Sequence, residues 1–266
     1  ETEALVRSHG ARYVPVAERD FDHGGTRSLL ARESGADVLV FLSQDALPAG
    51  REAVERLLRP LEADAAVAAA FGRQVPPPGA HPFTRMKRAF LYSDASRIHR
   101  FADRESAGFR TAFFSNAFAA WRRSPLAAIG WFGERRLMCE DVSSAAALLA
   151  AGHALAYAAD AVVEHGNEHP LAVELARYFD IGATHALDPR LETDFGSPHG
   201  EGLRFVRFGV RYLLAGGHAG HLPSFALWSA GKRVAYSLGR HHRALPPRLV
   251  KTLSSLPGWW EPASPR

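Results

Sequence analysis

Five consecutive apolar residues, Val38 to Leu42, end abruptly in Ser43-Gln44-Asp45, and Pro48 stops the strand they would form from running on. So short an apolar run, closed by polar and turn-forming residues, predicts a strand buried on both faces of a parallel sheet. Such a strand needs helices above and below it, which makes the chain α/β. A carboxylate at the carboxyl end of that strand sits where open α/β sheets bind ligands. Asp45 there either holds a divalent cation through its oxygens or caps the next turn, and the run alone leaves both open.

The surrounding chain supplies the layers. Thr2 to His9 predicts a helix stopped at Gly10, and ARYVPV (Ala11 to Val16) a short strand. FDHGGTR then precedes a helical SLLARESGA. Gly24 and Gly25 let a backbone approach a ligand, and the helix start favours an anion that Arg27 could bind; the alternative is a tight turn with Arg27 in solvent. Glu52 to Leu61 has helical spacing, with Val54, Leu57, Leu58 and Leu61 on one face. Ala65 to Gly72 predicts another buried strand, the proline-rich Val75 to Pro82 a loop, and Phe83 to Arg100 a helix. That helix carries Arg85, Lys87 and Arg88 among aromatics, which fits either an acceptor channel or a solvated face.

TAFFSNAFAAWRR predicts strand on either side of Ser115-Asn116, a polar pair that is either hydrogen-bonded core or faces a substrate. Glu140 and Asp141 open the helix VSSAAALLAAG, where the macrodipole alone would favour them. HALAYAADAVVEH has strand-like patches at Ala154 to Tyr157 and Ala161 to Val163 and ends at His165, a metal ligand or a hydrogen-bonded surface residue. Leu171 to Leu187 predicts a helix.

Charge divides the chain. Leu203 to Lys251 holds nine Lys or Arg and no acid, whereas residues 1–202 hold 22 basic and 27 acidic residues. With its interspersed aromatics, the basic segment predicts an amphipathic helical annex suited to an anionic membrane surface. No nucleic-acid motif accompanies the charge, so nucleic acid is not an expected partner. His241 and His242 are expected at the surface. The single cysteine, Cys139, excludes a disulfide framework and a cysteine-built zinc site. No apolar run approaches the roughly 20 residues of a spanning helix.

The strings FDHGGTR, VLVFLSQDALP, AAFGRQVP, FFSNAFAAWRR, MCEDVSSAAALLAAGHALAYAADAVVEH and LARYFDIG, in that order, resemble family 2 glycosyltransferases of the bacterial rhamnosyltransferase-like branch. So does the carboxy-terminal KRVAYSLGRHHRALPPRLVKTLSSLPGWW. The resemblance implies a GT-A (Rossmann-like) mixed sheet flanked by helices over residues 1–190 and a basic helical annex over 191–266. It implies an inverting transfer from a nucleotide-diphosphate sugar, dTDP-L-rhamnose in this branch, to a cell-envelope glycan or polyprenyl-diphosphate-linked acceptor. The enzyme would work in the cytoplasm at the inner face of the cell membrane. Asp141 would be the general base and Glu140 its support. Gly24, Gly25, Arg27, Ser43, Gln44 and Asp45 would bind the nucleotide sugar, and Ser115 and Asn116 would lie near the donor sugar and acceptor. Asp45 and His165 would hold a divalent cation, Mg²⁺ or Mn²⁺.

Two departures from the family pattern are visible. Ser43 stands where the metal motif usually has an acid, which should weaken metal binding. The family's opening strand, helix and strand precede the position matched by Glu1. That places part of the nucleotide pocket outside this chain, so an unpaired sheet edge and poor donor binding by the chain alone are expected. Two other readings stand beside this one. A non-catalytic scaffold would keep the fold alone; a metal-dependent nucleotidyltransferase would need a second carboxylate close to Asp45.

Overall fold

The computed structural model describes residues 2–17, 20–166, 168–197 and 199–261. Helix α1 (Thr2–Ser8) is followed by α2 (His23–Glu33), β1 (Val38–Leu42), β2 (Leu47–Pro48), α3 (Ala53–Ala63), β3 (Val67–Val75) and α4 (Pro82–Leu91). Next come β4 (Arg97–His99), α5 (Arg104–Ala107), β5 (Phe118–Arg122), α6 (Arg123–Ala128), α7 (Glu140–Ala150) and β6 (Ala154–Glu164). The remainder is helical: α8 (Leu171–Leu187), α9 (Arg190–Phe195), α10 (His199–Ala215), α11 (Leu222–Arg240) and α12 (Pro247–Leu253). No helix among the described residues is long and apolar enough to cross a membrane.

The strands form one mixed sheet in the order β1-β5-β3-β6-β2, with β4 also on β6. β3 and β6 are parallel; β5 runs against both of its neighbours, β1 and β3. Period-two alternation sorts the side chains into two layers. Ala69, Phe71, Trp121, Leu155 and Tyr157 pack on one face with Leu148 and Leu149 of α7. Ala70, Phe118, Ala120, Ala156 and Ala158 pack on the other with Leu57 and Leu61 of α3. The small alanine side chains let α3 lie close to the sheet.

Several expectations are corrected. β1 is an edge strand with β5 as its strand partner among the described residues, and Val40 and Leu42 are 42% and 48% exposed. Its apolar run reflects strand propensity, not burial on both faces. ARYVPV forms no strand; it lies outside regular structure. The helix after FDHGGTR starts earlier, at His23, because Asp22 caps it by accepting a bond from the Gly25 N–H. The helix expected to reach Arg100 stops at Leu91, and Arg97–His99 pairs with β6 instead. Ser115 and Asn116 lie in the loop before β5, not inside a strand. The two patches of HALAYAADAVVEH are one strand, β6. Val54 turns outward from α3. His242 is buried, its ring 5.2 Å from that of Trp260 and its Nδ1 bonded to the Gly239 carbonyl.

The carboxy-terminal helices are docked firmly onto α8 and α4. α8 and α11 cross at Gly182 and Gly239, where any Cβ would run into the Tyr236 or Phe179 carbonyl of the facing helix. Met86 of α4 is buried against Leu213 of α10 and Phe225 of α11.

Candidate active site

Topology brings the chemistry to one edge of the sheet. β1, β3 and β6 all point the same way, so Asp45, Gln74 and His165 stand at the same end, and Ser115-Asn116 enters β5 there. His165 Nε2 lies 3.2 Å from Asp45 Oδ1. Its Nδ1 lies 2.7 Å from the Gln74 Oε1, an acceptor, and 3.1 Å from Arg88 Nη2, a donor, so those two side chains together hold the ring in place. Burial and then the Arg88 guanidinium lower the His165 pKa, which keeps the ring neutral. Gln74 in turn donates to Ser115 Oγ at 2.8 Å and accepts from the buried Arg88. With the ring proton on Nδ1, Nε2 and the Asp45 carboxylate oxygen suit a shared cation. Among the described residues, no group of three His, Cys, Asp or Glu forms a metal cluster. Such a pair fits a cation that completes its shell with water and ligand phosphate oxygens. The second carboxylate that a nucleotidyltransferase would place at Asp45 is thus not part of this pair.

The second cluster sits at the start of α7. Glu140 is buried and accepts from Arg27 Nη1 at 2.7 Å and from Asn116 Nδ2 at 3.3 Å. Trp121 Nε1 donates to Asn116 Oδ1 at 2.8 Å, which fixes the amide's orientation. The backbone N–H groups of Asn116 and Val142 donate to Asp141 Oδ2 and Oδ1 at 3.1 and 2.8 Å. Burial, and next the Glu140 charge, raise the Asp141 pKa to about 7, against those bonds and Arg27, which lower it. Cys139, just before the helix, holds a left-handed φ of 58°, as do Trp131 (63°) and Arg135 (51°). Non-glycine residues pay for that conformation in strain, and here it turns the chain so that both acids face Asn116. A carboxyl poised near neutrality, held by two backbone bonds with lone pairs to spare, can remove a proton from a hydroxyl.

Residues 1–130 match the family model for glycosyl transferase family 2. The chain is 38% identical over 246 residues to the O-antigen chain rhamnosyltransferase RfbN of Salmonella typhimurium strain LT2, covering 92% of this chain and 78% of that protein. It is 36% identical over 261 residues to the O-antigen chain rhamnosyltransferase WbaN of Salmonella anatum, covering 98% and 82%. The chain belongs to glycosyltransferase family 2. Its structure is similar to that of the mannosyltransferase PcManGT from Pyrobaculum calidifontis, solved with GDP-Man and Mn²⁺, at a TM-score of 0.52 and 18% identity. That likeness covers 97% of this chain and 71% of that one. The fold is GT-A, and the transferase carries its acids where that fold's sheet ends.

The other anticipated residues fall into place unevenly. Gly24 and Gly25 lie in the first turn of α2, where their small size is used internally. A Cβ on Gly24 would be 2.8 Å from the Gly133 carbonyl oxygen, and one on Gly25 would be 2.6 Å from Asp22 Oδ2. Arg27 points from that turn to Glu140. Ser43 bonds through its backbone N–H to the Ala117 carbonyl, tying β1's end to the loop that carries Asn116, while Gln44 is exposed. Gln74, Arg88 and Trp121 were missed as site residues. All three lie in strings that carry the resemblance or in the basic α4 stretch. A polar side chain ending an otherwise apolar strand, as Gln74 does, was the available signal.

Proposed function

We propose that this transferase moves L-rhamnose from dTDP-L-rhamnose, with inversion, to a cell-envelope glycan acceptor borne on polyprenyl diphosphate. The observation that carries the reading is the Asp141 carboxyl, raised toward neutrality and fixed by Asn116 and Val142 beside the Asp45–His165 pair. Its relatives' names, O-antigen chain rhamnosyltransferases, support the sugar and the acceptor class.

Asp141 accepts the proton of the acceptor hydroxyl as that oxygen bonds to the anomeric carbon. The bond from that carbon to the diphosphate breaks on the opposite face, and the nucleoside diphosphate leaves with the electron pair. Glu140, neutralised by Arg27, holds Asn116 in place and so keeps the N–H on Asp141. Asp45 and His165 Nε2 would hold a divalent cation, Mg²⁺ or Mn²⁺, and Gln74 fixes the ring for it. When bound, that cation supplies positive charge against the diphosphate leaving group. The basic annex would keep the enzyme at the anionic inner face of the cell membrane.

Transfer and donor binding across a panel of nucleotide sugars, with the family's opening strand, helix and strand supplied ahead of Glu1, test this. Consumption of dTDP-L-rhamnose in preference to the others is expected. Asp141→Asn should lower kcat by about 10²- to 10⁴-fold with donor affinity unchanged. If no nucleotide sugar binds, the transferase mechanism fails; if Asp141→Asn keeps its rate, the base is elsewhere.

A further inference from the structure

The loop between α6 and α7 leads straight into the acid pair, and its second half has no backbone bonding of its own. Among the described residues, no N–H or carbonyl of residues 134–138 bonds to another backbone group. Arg135 within that stretch and Cys139 at its end both hold a left-handed φ, at 51° and 58°. A strained stretch without backbone partners keeps its shape only if something outside it does the holding. Side chains supply part of that hold. Leu137 and Met138 are buried, and Arg136 Nη1 donates to Asp188 Oδ2 at 2.8 Å. The backbone itself is held from the other end of the chain.

Trp259 Nε1 donates to the Arg135 carbonyl at 3.1 Å. Arg135 Nη2 returns two bonds, to the Trp259 and Glu261 carbonyls at 3.0 and 3.1 Å, and its guanidinium lies 5.8 Å from the Trp259 ring centre. The two residues thus clasp each other, each as donor and acceptor. The tail that carries Trp259 is anchored independently of the loop. The Ser255 N–H and Oγ donate to the buried Asp180 of α8 at 2.8 and 2.5 Å. The Trp260 ring lies 5.2 Å from that of His242 and 6.3 Å from that of Phe179. Lys251 Nζ is 3.2 Å from Glu261 Oε1. With the tail fixed on its own side, the constraint runs from the tail to the loop.

We infer that Trp259 is a positioning residue for Asp141: through Arg135 it holds the strained turn that sets the acid pair at the start of α7. The groups that face the Asp141 carboxyl are Glu140 and Cys139 beside it, the N–H groups of Asn116 and Val142, Arg27 of α2, and Tyr92 at the end of α4. None of these belongs to residues 254–261, so a substitution there reaches Asp141 through the loop. Once unclasped, the loop relaxes its left-handed residues and water reaches the carboxyl. The pKa that burial holds at about 7 then falls toward the ordinary aspartate range. That the carboxyl so held is the base rests on the transferase reading; that the tail holds it does not.

Trp259→Phe tests this, since it keeps a ring against Arg135 and removes the N–H. The Asp141 carboxyl is titrated by carboxyl-carbon NMR in the full chain, which needs no turnover. Transfer kinetics are read with the family's opening strand, helix and strand supplied ahead of Glu1. Trp259→Phe should lower the Asp141 pKa by about one unit and carry the acidic limb of kcat/KM down with it. It should cut kcat by about tenfold, with nucleotide-sugar affinity and Tm close to the parent's. Arg135→Ala, which opens the clasp from the loop side, should do the same. Trp260→Phe is the control. Its indole N–H has no partner among the described residues, so titration and rate should stay at the parent's. An unmoved Asp141 titration in both Trp259→Phe and Arg135→Ala overturns the inference, as does an equal shift in Trp260→Phe. A shifted titration with unchanged kcat spares the clasp and removes Asp141 as the base.

Discussion

At the start of α7, two carboxylates, Glu140 and Asp141, share one guanidinium, Arg27. At Glu174 of α8, two ammonium groups, Lys87 of α4 and Lys232 of α11, share one carboxylate. In both clusters the surplus charge is held out of water, and burial pushes the surplus group toward neutrality. Asp141 rises and Lys232 falls, each to about 7. They differ in what surrounds that group. Asp141 accepts two backbone N–H bonds and keeps part of its surface accessible, so its proton can be exchanged with a ligand. Lys232 is 4% exposed and lies over the Trp228 and Tyr178 rings at 3.3 and 4.3 Å. Its partners are a wall of aromatic carbon and Glu174. The same desolvation thus builds a base in one place and a pinned junction between α8 and α11 in the other.

Breaking the second cluster should show the larger effect on stability. Glu174→Gln leaves the buried Lys232 and the half-buried Lys87 without their anion and should cost about 3 kcal/mol in denaturant unfolding. Lys232→Met, which keeps the volume and leaves Glu174 paired with Lys87, should stay within about 1 kcal/mol of the parent. A junction in which both substitutions cost the same would contradict this account of the cluster.

The matching break in the first cluster is Arg27→Met. It removes the cation that Glu140 pairs with and should raise the Asp141 pKa further. The acidic limb of kcat/KM, expected near pH 7 in the parent, should move up by about one unit. Activity at pH 7 then falls by about fivefold and returns at higher pH. A loss that does not recover with pH would mean that Arg27 acts on the donor itself.

The smallest effect sharpens the comparison. Asp141 is raised from 3.8, so its contribution to stability is present below about pH 4 and is lost as pH rises through 7. Lys232 is lowered from 10.5, so its contribution is present above about pH 10 and is lost as pH falls through 7. The Tm of Asp141→Asn should therefore gain on the parent between pH 5 and 8. The Tm of Lys232→Met should gain on it between pH 10 and 7. Parallel curves would show that neither group is desolvated as described.

Much of the layering was legible from local pattern. α8 matches its expected span, and β6 ends next to His165, because burial there follows the chain's own periodicity. That Asp45 and His165 would share a cation was implied by the family resemblance, whereas the bonds from Asn116 to the acid pair were not anticipated. The edge position of β1 was not legible, since an apolar run states that a strand forms and not which strands lie beside it. Arg88 looked like one basic residue among several on α4, yet it is the one turned inward to Gln74. Cys139 gave no sign of its left-handed backbone.

Local composition determined which segments become helix or strand, where the acids and the histidine stand along the chain, and that the carboxy-terminal helices carry surplus positive charge. Those properties depend on neighbours within a few residues. Tertiary structure alone decided that Gln74 and Arg88 close on His165 Nδ1 and that burial raises the Asp141 pKa to about 7. Each of these depends on burial and on groups brought together from distant parts of the sequence. Desolvation, which sets the charge state of both clusters, exists only once the sheet and the helices have closed around them.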